Sequence, residues 1–379
     1  MKVLQICAAY KPAFIYGGPT MSVAMLSERL AKAGVYTEAY ATTANGKVEL
    51  PVQAGVPVDV DGVTVTYFKR ITKDHSHFSP ALLKKLWREA RGFDVIHIHA
   101  WWNLVSLFSC LIALMRNVPV VVSPRGTLSP YSFQNKNMGK KWLIHYLLGK
   151  RLLNRCHIHV TSTREAEAIN AVVNPKRITN LPNFVKLPAN LPGGAQSLAI
   201  FKLIFLSRIE EKKGLDILIN ALPLLTFPYS LTIAGDGNKI YVDELKALAK
   251  KNGDEADVYW IGFQGDNKFD LLTQHHLLVL PSYDENFGNV IIESLSQGTA
   301  VLISPFVGLV DYVKENNFGW ACELNAESVG NMINFIHSKK EELNLIRSNA
   351  PGKIRIDFDE DDLTKQYIGM YNNIINGRL

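Results

Sequence analysis

The chain has 379 residues, 47% hydrophobic and 20% charged, with a formal net charge of +6. At roughly 100–200 residues per domain that length predicts two domains or three, and the composition is that of an ordinary soluble globular protein. The apolar runs are too short to span a bilayer; the longest stretch without a charged residue, 95–115, is interrupted by His97, His99, Asn103, Ser106 and Ser109.

The net charge conceals an asymmetry. Residues 1–190 carry 24 Lys/Arg against 10 Asp/Glu, and no acidic residue lies between Asp94 and Glu165. Such a half predicts either an anionic partner (a membrane surface, a pyrophosphate-bearing acceptor or nucleic acid) or a merely solvated basic face. Nucleic acid is not expected, since no recognisable binding module is present. Cys7, Cys110, Cys156 and Cys322 are far apart with no metal-ligand spacing, so neither a disulfide framework nor zinc is expected and a reducing cytoplasm is the natural location.

In chain order, residues 3–8 read as a first strand, not as a signal peptide. Tyr16-Gly17-Gly18-Pro19-Thr20 follows, then a helix over 20–33. The glycine pair permits close backbone approach to a phosphate or sugar; it matches neither G-x-G-x-x-G nor a P-loop, and a plain turn is the alternative. Strands are predicted over 37–42, 63–68, 95–99, 118–123, 158–161 and 178–181, and helices over 80–91, 104–116, 139–154 and 162–172. Asp61-Gly62, between 58–60 and 63–67, is a hairpin turn signal. Otherwise strand and helix alternate, predicting βαβ units and a largely parallel sheet. The segment 136–155 interleaves Lys136, Lys140, Lys141, Lys150, Arg151 and Arg155 with Trp142, Leu143, Ile144, Tyr146, Leu147 and Leu148. It is either a surface for an anionic membrane or a core helix with a charged face.

The stretch PNFVKLPANLPGGAQS, beginning at Pro182, is the best domain linker. We expect an N-terminal domain over 1–185, a linker over 186–199, a second domain over 200–355 and a C-terminal helix over 356–379 that crosses back to the first domain. Strands at 203–207, 230–234, 258–261, 277–281 and 300–303 predict a second open α/β sheet. A last helix over 361–376 carries Leu363, Tyr367, Met370, Tyr371 and Ile374 on one face.

In open parallel sheets ligands bind at the carboxyl ends of strands, so loops after strands are the place to look. The strand LLVLPS runs into Tyr283-Asp284-Glu285-Asn286-Phe287-Gly288, and a helix begins near Asn289. Its free N–H groups and dipole make an anion site, Gly288 lets the backbone approach a ligand, and Glu293 leans back toward the same end from about 6–7 Å along the helix. After the strand LIFLS come Arg208 and Lys213 on a strand-to-helix loop, where two cations can neutralise a diphosphate without a metal. Each signal alone also reads blandly, as surface glutamates around a helix start and as a basic loop paired with Glu210 and Glu211.

Together these segments resemble the glycosyltransferase family 4 group of the GT-B fold, over most of the chain. The resemblance rests on LSRIEEKKG, LTIAGDG, VYWIGF, LPSYDENFGNVIIESLSQGTAV and GLVDYV in the second half, and on YGGPTMSVAMLSERLAKAG, FDVIHIHAWWN and VSPRGTLSPYS in the first. It implies an α/β chain of two Rossmann-like domains facing across a cleft, and a retaining, metal-independent transfer from a nucleotide-diphosphate sugar with no cofactor. It implies that Arg208 and Lys213 bind the donor diphosphate and that Glu293 holds the ribose. Glu285 and the backbone of Phe287, Gly288, Asn289 and Val290 would hold the transferred sugar and diphosphate, with Gly18 against the diphosphate. Many members carry a histidine where this chain has Arg125, which resembles a subgroup associated with cell-surface polysaccharide assembly. The acceptor would be a glycan or lipid-linked glycan, with the enzyme in the cytoplasm or peripheral on the inner face of the cell membrane. His99 and Arg125 are candidate sugar or acceptor contacts; His97 and His99 also read as buried structural histidines. The rival readings are a nucleotide-sugar epimerase, a phosphorylase, which would need a pyridoxal lysine and a longer chain, and a non-catalytic two-domain binding protein.

Overall fold

The computed structural model describes residues 1–134, 145–188 and 200–377. The chain divides into two compact units, Met1–Phe184 with Glu360–Leu379, and Val185–Asp359. The final helix therefore belongs to the first unit, and Val185 with Leu187 already packs in the second unit's core.

The first unit is built on an eight-stranded sheet. In chain order its strands are β1 (Lys2–Cys7), β2 (Tyr36–Thr42), β5 (Pro57–Val60), β6 (Val63–Phe68), β7 (Val95–His99), β8 (Val120–Ser123), β9 (His157–Val160) and β10 (Arg177–Asn180); a small separate hairpin supplies β3 (Ala44–Asn45) and β4 (Val48–Glu49). The sheet order is β10-β9-β8-β7-β1-β2-β6-β5, parallel throughout except for β5 on β6. The hairpin at Asp61-Gly62 is formed, with φ of 54° and 83° at its two central residues, as a type I′ turn requires. The β3–β4 hairpin was not legible, because two-residue strands carry no periodic pattern.

Side chains alternate across this sheet. Leu4, Ile6, Ile96, Ile98, Val120 and Val122 face a core covered by the helices Pro80–Glu89 and Leu104–Met115. Val3, Val95 and Val121 face the other way, onto Leu363, Tyr367, Met370 and Tyr371 of the final helix Glu360–Ile375. Arg29 pairs with Glu360 at the start of that helix. Of the basic segment expected over 136–155, residues 136–144, with Lys136, Lys140, Lys141, Trp142, Leu143 and Ile144, lie outside the described residues. The rest is a π-helical turn (His145–Gly149) running into a short α-helix (Lys150–Leu153). Tyr146 and Leu147 are exposed there, as are Lys150, Arg151 and Arg155, while Leu152 and Leu153 are buried.

The second unit has six strands: β11 (Phe201–Leu206), β12 (Tyr229–Ala234), β13 (Val258–Gly262), β14 (Leu277–Leu280), β15 (Ala300–Ile303) and β16 (Gly319–Ala321). All pair in parallel, in the order β13-β12-β11-β14-β15-β16. Leu277–Leu280 and Val301–Ile303 are fully buried, the continuous apolar pattern of strands covered by helices on both faces. This order winds outward in both directions from β11 and β14, so the switch point lies between their carboxyl ends, where a ligand crevice forms. The basic loop and the glutamate loop leave the sheet from those two strands.

Candidate functional site

The loops at the switch point are laced together by backbone. Tyr283 N–H donates to the Lys212 carbonyl (2.9 Å), Ile209 N–H to Asp236 (2.8 Å), Glu285 N–H to Phe306 (3.0 Å) and Gly308 N–H to Glu285 (2.8 Å). The close approach explains Gly214. It has φ 67°, and a Cβ there would stand 2.1 Å from the Pro281 carbonyl oxygen, so no other residue fits without moving the loops apart.

On this frame Lys213, 9% exposed, reaches the carboxylate of Glu285. Burial would raise the Glu285 carboxyl, but Lys213, aided by Lys212 and Arg208, overcomes it and holds the group below its usual range. Lys212 pairs with the buried Asp284 at 2.8 Å. Arg208 is exposed and tied to Glu210 at 2.6 Å, so the structure brings Lys213 onto the glutamate loop while Arg208 remains at its edge. Glu293 is buried and held by Lys268, 2.6 Å away at the start of the helix Lys268–Gln274. Lys268 was missed from the sequence: it lies in no motif, and only the tertiary fold carries it to Glu293.

The helix Asn289–Ser296 opens with Gly288 at φ 90°, and glycine there brings no side chain to cap the outward N–H groups. The side chain of Phe287 is buried, edge-on to Phe358, so only its backbone is offered to a ligand; Val290 is half-buried. Two cation–carboxylate pairs thus flank a helix start: the charges, polarity and hydrogen-bond acceptors that a nucleoside diphosphate and its sugar call for. Among the described residues no cluster of three or more His, Cys, Asp or Glu is placed to hold a metal ion.

In the first unit, Gly18 is the first residue of the helix Gly18–Lys32, after Gly17 at φ 67°, at the carboxyl end of β1. Beside it in the sheet, β7 ends in His99, and β8 ends just before Arg125. His97 and His99 are buried, as are Gln5, Ser123 and His159, and all five lie on the sheet face that meets the final helix. They form one connected hydrogen-bond chain. The Arg125 Nε lies 3.3 Å from His99 Nδ1, His99 Nε2 lies 2.7 Å from Gln5 Oε1, and Gln5 Nε2 lies 3.4 Å from the Tyr371 hydroxyl. The Tyr371 hydroxyl lies 2.7 Å from His97 Nδ1, His97 Nε2 2.6 Å from Ser123 Oγ, and Ser123 Oγ 2.6 Å from His159 Nδ1. His159 Nε2 ends the chain at the Leu181 carbonyl (3.0 Å) and the Tyr367 hydroxyl (3.0 Å).

Donor and acceptor roles follow from one end. Arginine only donates, so His99 Nδ1 accepts and its Nε2 carries the proton. Each later group then donates onward, so each group after Arg125 is satisfied with all three histidines neutral. Burial, the largest cause, together with the Arg125 charge lowers all three, His159 to about 3. Tyr367 and Tyr371, read from the sequence as part of an apolar face, are buried for their rings and hydrogen-bonded through their hydroxyls. Both ring nitrogens of His99 are occupied within the protein, so the side chain that this strand end offers outward is that of Arg125.

The family model for group 1 glycosyl transferases matches residues 200–353, and that for glycosyltransferase family 4 matches residues 16–187. An uncharacterized glycosyltransferase of Methanocaldococcus jannaschii is 29% identical over 45% of this chain and 44% of its own. The chain thus spans under half the length of that relative. A phosphatidyl-myo-inositol mannosyltransferase of Propionibacterium freudenreichii is 23% identical over 82% of this chain and 78% of its own. Among solved structures, Anabaena HepE in complex with UDP and glucose superposes with a TM-score of 0.76 at 20% identity, covering 98% of this chain and 100% of that one. A likeness at that identity speaks for the fold: two parallel-sheet α/β units of the GT-B type.

Proposed function

We propose that this chain, which belongs to the group 1 glycosyltransferases of family 4, moves a sugar from a nucleotide-diphosphate donor to a hydroxyl of a glycan or lipid-linked glycan. In this reading the transfer retains anomeric configuration, needs no metal, and serves cell-surface polysaccharide assembly. The observation that carries it is the pair of lysine–glutamate contacts, Lys213 on Glu285 and Lys268 on Glu293, flanking the helix that starts after Gly288. Support for the donor comes from HepE, which was solved with UDP and with UDP-glucose. Support for the acceptor comes from a diphospho-undecaprenol N-acetylgalactosaminyltransferase of Campylobacter jejuni, 28% identical over 31% of this chain.

An ammonium has three N–H donors, so Lys213 can hold Glu285 and still meet a diphosphate oxygen. As the bond from the sugar's anomeric carbon to the diphosphate oxygen breaks, charge builds on the leaving group. Lys213 and the N–H groups at Gly288–Val290 are placed to stabilise it, and Arg208 joins them by leaving Glu210 at the edge. The acceptor oxygen bonds to the same face of that carbon, and its proton passes to the departing phosphate. Glu285 positions the sugar and is not a nucleophile; Glu293 takes the ribose hydroxyls.

The basic segment that includes Lys150, Arg151 and Arg155 is the proposed contact with an anionic membrane. Among the described residues no helix is long and apolar enough to cross one.

The deciding measurement is a thermal-shift panel of UDP, GDP, ADP and their sugar conjugates with chelator present. At 100 times its dissociation constant a ligand should stabilise by about 2.7 kcal/mol. A shift with no member of the panel would overturn the donor site. For the winning donor, a product with inverted anomeric configuration would refute retention.

A further inference from the structure

We infer that Arg125 is a built oxyanion site in the first unit, taking a phosphate or carboxylate group carried by the acceptor. The inference stands on the first unit alone and goes beyond the donor reading. Arg125 has φ 53°, a left-handed conformation that a long side chain adopts at a cost of about 1–2 kcal/mol, so its surroundings must hold it there. They do. The next N–H, that of Gly126, donates to Glu165 Oε1 (2.8 Å), whose other oxygen accepts from Thr161 N–H (2.9 Å). Thr127 Oγ1 bonds the Pro124 carbonyl (2.6 Å) and accepts from Trp101 N–H (3.1 Å). The turn is clamped on both sides of the arginine.

The guanidinium is held just as firmly. Its Nε donates to His99 and one terminal nitrogen to Asn183 Oδ1 (2.8 Å). Both acceptors are neutral. Of five N–H donors two are used, and the second terminal nitrogen has no partner among the described residues. None of the described carboxylates lies within ion-pairing distance, the one facing this turn, Glu165, being engaged by backbone. As a residue Arg125 is half-buried, and burial of the guanidinium lowers it from its usual range. A cation fixed by neutral acceptors, keeping a free edge of planar donors and without an ion-pair partner among the described residues, is complementary to an oxyanion, which guanidinium binds in a fork. The ordered histidine chain behind it matches this purpose: it presents His99 Nδ1 as an acceptor and so sets the plane of the guanidinium.

The test is calorimetric titration of the full chain with inorganic phosphate, repeated with glucuronate. The variants are Arg125→Asn and Arg125→Gly, both tolerant of positive φ, and Lys213→Ala, which removes the donor-loop cation. We expect phosphate affinity at the first-unit site to fall at least ~10-fold in both Arg125 variants, the scale of lost charge-assisted hydrogen bonds, and to persist in Lys213→Ala. Competition by glucuronate would assign the group as a carboxylate of an acidic sugar; phosphate binding without it would assign a phosphoryl group. Unchanged binding in the two Arg125 variants, or no phosphate binding attributable to the first unit, would overturn the inference. Because Lys213→Ala reports on the donor loops separately, failure of either reading is visible without the other.

Discussion

Gly214→Ala is the sharpest perturbation of the proposed donor loops, because its consequences can be worked from distances. The new Cβ would stand 2.1 Å from the Pro281 carbonyl oxygen, whereas ordinary contact begins at 3.4 Å. The gap, 3.4 − 2.1, means the two loops must part by about 1.3 Å. That movement strains the 2.9 Å bond from Tyr283 N–H to the Lys212 carbonyl and draws Lys213 away from Glu285. Overpacking costs about 1–3 kcal/mol and the left-handed alanine about 1–2, so the expected loss of stability is about 2–5 kcal/mol. Gly253→Ala is the control. Its φ is 85°, but nothing lies within 4 Å of a Cβ there, so only the backbone cost of about 1–2 kcal/mol should appear. Urea unfolding of both variants measures the difference directly, as a change in midpoint at constant slope. If Gly214→Ala were no more destabilising than Gly253→Ala, the loops would not be locked as described, and the case for a preorganised donor site would fall with them.

Other consequences are read more simply. Lys213→Ala should lower kcat/KM about 10²–10³-fold, the scale of removing one preorganised donor from a developing charge; steady-state kinetics with the identified donor would show otherwise if turnover held. Lys268→Ala should act on donor KM more than on kcat, because it frees Glu293 rather than touching the leaving group, and an effect confined to kcat would contradict that. The first unit should be acid-sensitive. His159 is neutral when folded with its value lowered from 6.5 to about 3, so its contribution is complete above pH 6.5 and is lost as pH falls from there toward 3. The loss is about 1.4 kcal/mol per pH unit, and a flat stability between pH 6.5 and 5 would refute neutral burial. Tyr371→Phe should cost roughly 1–3 kcal/mol, since it strands His97 Nδ1 and Gln5 Nε2 without partners, an effect measurable by urea unfolding.

The two α/β units and their strand alternation were readable because buried parallel strands and amphipathic helices write distinct periods into a chain. The glutamate loop and the basic loop were readable because they follow strands and precede helices, which is where such sheets bind ligands. Yet neither motif says which charges meet. Lys213 reaches Glu285 across 72 residues, and Lys268 reaches Glu293 across 25. Arg208 pairs with Glu210 two positions on.

Residue types and periodicity alone determined the two open α/β sheets, the places of the basic and glutamate loops after strands and the glycines that let those loops approach. Both are local properties of the chain. Pairing was decided only by tertiary structure. The buried chain from Arg125 to His159 draws on four strands and the final helix, and its length of sequence hides its order. Each member is an unremarkable polar residue at its own place; what fixes its proton is the neighbour that packing alone provides.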